Sequence, residues 1–157
     1  MQLTLQFLHL AAAIIWVGGM TCLLLAVRPA TLSVMEAKPR ALLMVQIWRR
    51  FFNVVMACVV LLLLTGAHLY ASAHRGLKAA GVAGASLPLG WNLMALIGTL
   101  MFLIFGHIYF SGFKKFQRAV ATGDFPVASA VAGQIHKLVV ANFVLGWLAV
   151  AAVKLVH

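Results

Sequence analysis

Four stretches of this chain are each apolar over roughly the 20 residues that, at 1.5 Å rise per residue, carry a helix across a hydrocarbon core about 30 Å thick. They run from about Leu3 to Val27, Phe51 to Ser72, Trp91 to Phe113 and Leu138 to Val153. The chain has 157 residues, of which 64% are hydrophobic and 9% charged, and a soluble domain of that length has too little polar surface to cover so much apolar matter. The expected fold is therefore all-α: one integral membrane domain over 1–157, built as a transmembrane four-helix bundle.

Charge and breakers mark where the spans stop. Arg28-Pro29 close the first, Arg49-Arg50 precede the second, and Lys114-Lys115 end the third. Lys154 and His157 lie beyond the fourth. The first apolar run has no basic region before it and no small-residue cleavage pattern after it, so it reads as a retained helix. Between the first two spans, Leu42, Leu43, Val45, Ile47 and Trp48 lie among Lys38, Arg40 and Arg49-Arg50, a pattern for either an interfacial helix or an extension of span two. Phe116 to Lys137 predicts an amphipathic connector on the membrane surface, with a turn at Gly123-Asp124-Phe125-Pro126.

Only Glu36 and Asp124 oppose the 12 Lys and Arg residues. Nine of those cations (Arg28, Lys38, Arg40, Arg49, Arg50, Lys114, Lys115, Arg118 and Lys137) fall in the first and third connections, and three (Arg75, Lys78 and Lys154) fall on the other side. This asymmetry places both basic connections in the cytoplasm. In a bacterial inner membrane, both termini and the Ala73 to Gly90 loop then face the periplasm. Because the cations sit between apolar stretches, they fit topology and anionic-lipid contact, and no nucleic-acid partner is expected. Cys22 and Cys58 lie inside spans, where they read as buried thiols and not as a disulfide framework.

Six histidines in so apolar a chain need an explanation, since an imidazole in hydrocarbon must find a hydrogen-bond partner, line a cavity or ligate something. His9 and His68 lie one to two turns inside the outer ends of spans one and two, so they can share a layer. His107 and His136 lie toward the inner ends of spans three and four and form a candidate second layer. On helical spacing His9 shares a face with Trp16 and Met20, flanked by the small residues Ala12, Ala13 and Gly19. The same spacing aligns His136 with Val140, Phe143 and Trp147, and His107 with Leu100 and Ser111.

Two cofactors suit such sets. Haem b takes one or two imidazoles at matched depth, here His9 with His68 and His107 with His136, and Trp16 and Met20 would line the outer site. Copper takes nitrogen and soft sulfur donors, here His9, His68, Met20, Met56, Cys22 and Cys58. Cys22 is rotated by roughly 140° from His9 about the helix axis, which argues against one straight channel through both. The bland alternative is that the histidines only tie helices together, with His74, His136 and His157 interfacial and Asn92 and Asn142 bonding across helices. No buried carboxylate, hydrolytic constellation or phosphate-cradling glycine loop is present to support hydrolysis or ion pumping by acidic residues, and any enzymatic activity would be that of a haem-dependent oxidoreductase.

Leu8-His9-Leu10, Trp16-Val17-Gly18-Gly19-Met20, Arg28-Pro29, Arg50-Phe51-Phe52 and Leu64-Thr65-Gly66 together resemble the CopD-like integral membrane proteins. Phe105-Gly106-His107-Ile108-Tyr109-Phe110 and Asn142-Phe143-Val144-Leu145-Gly146 are similar to the short, single-bundle members of that group, so the likeness spans nearly the whole chain. It implies a minimal four-helix unit of a family associated with copper movement across the inner membrane. The chain also resembles, more distantly, the four-helix protoporphyrinogen oxidase family, whose members bind haem b through a histidine early in span one, the place that His9 occupies. The Tyr-His and Glu-Arg-Arg features of that family are absent, so its enzymatic activity is not implied. The likeness covers His9 and His107 but not His68 and His136.

The leading expectation is a cytochrome b-like membrane protein that passes electrons within or across the inner membrane. Copper binding or import is the alternative, and a non-catalytic subunit or assembly factor is a second. A redox or copper-carrier protein at the periplasmic face, and a homodimer or a larger membrane complex, are the partners these readings imply.

Overall fold

Each apolar run forms part of a longer helix: α1 Gln2–Val34, α2 Ala37–Ala79, α3 Leu89–Ala121 and α4 Phe125–Leu155. The computed structural model describes residues 1–81 and 87–156, so His157 and the middle of the loop between α2 and α3 lie outside the described residues. Within them there is no strand, and all four helices are long and apolar enough to cross a membrane. The architecture is the expected all-α four-helix bundle. Consecutive helices form the tightest pairs, α1 with α2 and α3 with α4.

At 43 residues α2 is about 65 Å long, roughly twice the thickness of a bilayer's hydrocarbon core. Its surplus lies mostly at the basic end, where the other three helices overrun as well. The overhangs pack on one another: Ala41, Met44 and Trp48 of α2 are buried with Phe116, Ala119 and Val120 of α3 and Ala128, Val131 and Ile135 of α4. Of the two readings of the first connection, the extension of span two is the one found, and the connector expected over Phe116 to Lys137 does not form a separate surface helix. Ala37 to Arg50 is the first part of α2 itself, reached through Met35 and Glu36. The Phe116 to Lys137 segment is divided between the end of α3 and the start of α4. The turn falls where Gly and Asp were expected to make one: Gly123 adopts φ 75°, and Asp124 caps α4 by accepting from the Val127 N–H at 3.1 Å. Apolar side chains on both arms reach a protein core, so they are not left to the membrane surface.

Two π-helical turns set which faces look inward. The first, Leu23–Val27, immediately precedes Arg28-Pro29. Pro29 cannot donate to the carbonyl four residues back and its ring crowds that carbonyl, so a widened turn lets α1 continue to Val34 where the sequence suggested a stop. The second, Ile108–Phe113, re-phases α3: Met101, Phe105 and Ile108 are buried, and the next buried position is Phe113, five residues on. Phe113 then packs edge-to-face on Phe52, whose ring also meets Phe105 edge-on and stacks on Trp48. Long apolar side chains such as Leu25, Leu64, Leu96, Leu103 and Phe110 stay exposed on the outside of the bundle, the side that lipid covers.

Candidate cofactor site

His9 is half-buried between α1 and α2. Its Nδ1 lies 2.9 Å from the Thr65 hydroxyl, and that hydroxyl donates back to the Leu61 carbonyl at 2.6 Å. A hydroxyl has one proton to give. With Thr65 committed to its own helix, the bond to His9 must run from Nδ1–H to Oγ1. The imidazole is then the Nδ1–H tautomer, and Nε2 keeps its lone pair, the state in which a histidine ligates a metal. Gly66 makes room for the ring, because a Cβ there would stand 3.1 Å from His9 Cε1.

The face that His9 shares is the interior face of α1. Ala12, Trp16 and Met20 are among the most buried side chains of the chain. The Trp16 ring stacks on Phe102 with centroids 5.7 Å apart and meets Phe105 edge-on. Trp16 and Met20 thus serve the packing of α1 against the bundle, one and two further turns in from Ala12.

The other candidate residues are scattered. His68 stands one turn from Thr65 on α2 and is exposed. His107 is exposed together with Leu100, Ser111 and Lys114, so its stripe forms the outer flank of α3. The stripe from His136 also turns outward, with Val140 and Trp147 exposed, while the interior face of α4 is Ala128, Val131, Ile135, Val139, Asn142 and Gly146. His136 itself is half-buried and lines a cavity of about 140 Å³ at the basic end, which His107 does not line. Of the soft donors, Met20 and Cys58 are buried, Met56 is half-buried and Cys22 is exposed. Among the described residues no three His, Cys, Asp or Glu side chains come together as a metal-binding group.

The chain matches no known protein family, no curated protein and no solved structure.

Sequence reasoning had Thr65 only as part of a motif and gave it no role. The signal was there, since a hydroxyl beside a glycine in an otherwise apolar helix marks a place where a neighbour with a polar group can approach. Of the two asparagines expected to bond across helices, Asn92 does so, accepting from the Tyr70 hydroxyl at 2.7 Å. Asn142 is 1% exposed, and its Oδ1 has no hydrogen-bond partner.

Proposed function

We propose that the chain is a haem b-binding protein of a bacterial inner membrane, with His9 as axial ligand and His68 on the outer half of α2 as the second imidazole. The observation that carries the reading is the His9–Thr65–Leu61 relay. It fixes one tautomer and one ring orientation, and it leaves Nε2 available on a residue that the core does not seal. The donor chemistry fits: a neutral imidazole with a hydrogen-bonded Nδ1–H is the usual axial base of haem iron. Bound haem would supply a one-electron couple, consistent with electron transfer to a redox protein at the outer face. The proposal does not extend to an inner haem, since His107 is exposed and does not line the cavity that His136 lines.

In this reading the basic end is cytoplasmic and both termini are periplasmic, which the cation asymmetry supports. The distant resemblance to the four-helix protoporphyrinogen oxidase family implies a histidine early in span one as ligand, the place that His9 occupies. The test is an absorption spectrum of the detergent-purified full chain, produced with ample haem precursor, before and after reduction. A Soret band with stoichiometric iron is expected, lost in His9→Ala and weakened in His68→Ala. Wild-type protein without a Soret band or bound iron overturns the proposal.

A further inference from the structure

The cavity at the basic end is lined by basic side chains from three helices: Arg28 comes from α1, Arg40 from α2 and His136 from α4. Ser129 adds a hydroxyl to the same wall, Thr31 donates its own to the Arg28 carbonyl at 3.0 Å, and Trp48 is part of the apolar lining. Arg28 and Arg40 are both half-buried, so neither is a freely solvated surface cation. One guanidinium nitrogen of Arg40 donates to the Met35 carbonyl at 3.0 Å, which fixes the side chain and leaves its remaining N–H groups for another acceptor.

No carboxylate completes the set. The chain has two acidic side chains, and neither lines the cavity: Asp124 is used as the cap of α4, and Glu36 is exposed in the α1–α2 connection. Two half-buried arginines lining one partly enclosed space, with no acidic side chain in its lining, call for an anion from outside the chain. The π-helical turn Leu23–Val27 forms one rim, with Leu23 and Leu24 lining the cavity just where α1 passes from apolar to charged sequence, so the opening stands at headgroup level. The volume of about 140 Å³ corresponds to a few water molecules at roughly 30 Å³ each, which suits a tetrahedral oxyanion and not a large ring system.

We propose that this cavity is a phosphate-binding site, with Arg28 and Arg40 as the charged donors and Thr31, Ser129 and His136 around them. The phosphate comes either from an anionic phospholipid of the leaflet at the basic end or from free phosphate in the adjoining water.

The test is thermal unfolding of the full chain in a neutral detergent, titrated separately with dioctanoyl phosphatidylglycerol, chain-matched dioctanoylglycerol and inorganic phosphate. Saturable stabilisation by phosphatidylglycerol and none by dioctanoylglycerol is expected, with the midpoint shifted at least about fivefold in Arg28→Gln and in Arg40→Gln. Arg49→Gln removes the same charge from an exposed position outside the cavity and should leave the midpoint unchanged. Stabilisation by inorganic phosphate as well identifies the free anion as a source, and its absence identifies the lipid headgroup. The proposal is overturned if dioctanoylglycerol stabilises equally, if neither phosphate compound does, or if Arg49→Gln weakens binding as much as Arg28→Gln. Helical circular dichroism of each variant separates loss of the site from loss of the fold.

Discussion

His9 of α1 donates through Nδ1 to the hydroxyl of Thr65 on α2 across 2.9 Å, a side-chain bond between two adjacent helices within the apolar part of the bundle. It joins residues 56 apart in the chain and holds the imidazole of a candidate ligand in place.

Thr65→Val keeps the shape of the side chain and removes the acceptor. The His9–Thr65 coupling, measured by a double-mutant cycle with His9→Ala on unfolding in detergent, should be about 0.6 kcal/mol and below about 1.7 kcal/mol, the range for interhelical hydrogen bonds in membranes. If haem is bound, the same substitution should shift its reduction potential or lower its occupancy while leaving the axial ligand in place.

Phe52 is 1% exposed and touches Trp48, Phe105, Tyr109 and Phe113, so it joins the membrane part of the core to the overhanging part. Phe52→Ala should cost about 3–5 kcal/mol of stability. Phe110→Ala, at a ring 60% exposed on the lipid side, should cost far less by the same unfolding measurement.

Gly90 sits against the carbonyls of Ala152 and Val156, so a Cβ there would meet backbone atoms of α4 that cannot swing aside. Gly90→Ala should force apart the ends of α3 and α4 that lie away from the basic connections, at a cost of about 1–3 kcal/mol. Gly98→Ala, where nothing lies within 4 Å of the added carbon, should be neutral or stabilising by up to about 1 kcal/mol. Melting temperatures of the two variants in one detergent decide between them.

Asn142 holds a carbonyl oxygen in the core with no partner. Replacing it with Leu removes that unmet group and should raise stability by about 1–3 kcal/mol if the oxygen is unsatisfied in the folded protein. A lower melting temperature for Asn142→Leu would show that the oxygen is paired with a bound water or that the added volume does not fit.

The four apolar runs, the helical class and the gathering of nine cations at one end were legible in the sequence, because span length and charge placement are properties of the chain alone. So was the inward face of α1, where Ala12, Trp16 and Met20 contrast with the large exposed side chains of Leu10, Ile14 and Ile15. The outward turn of His68 and of the stripe carrying His107 was not, and neither was the escape of Val140 and Trp147 from the core. Lipid and protein interior are both apolar, so a helix buried on one side and bathed in acyl chains on the other carries little periodic contrast in hydrophobicity to show which side is which. Packing decided it, through two π-helical turns that shift the phase of α1 and α3 and through overhangs whose apolar residues share a core at the basic end of the bundle. The partner of His9 was likewise a tertiary outcome: many neighbours on α2 were compatible with the sequence, and the close approach at Gly66 selected Thr65.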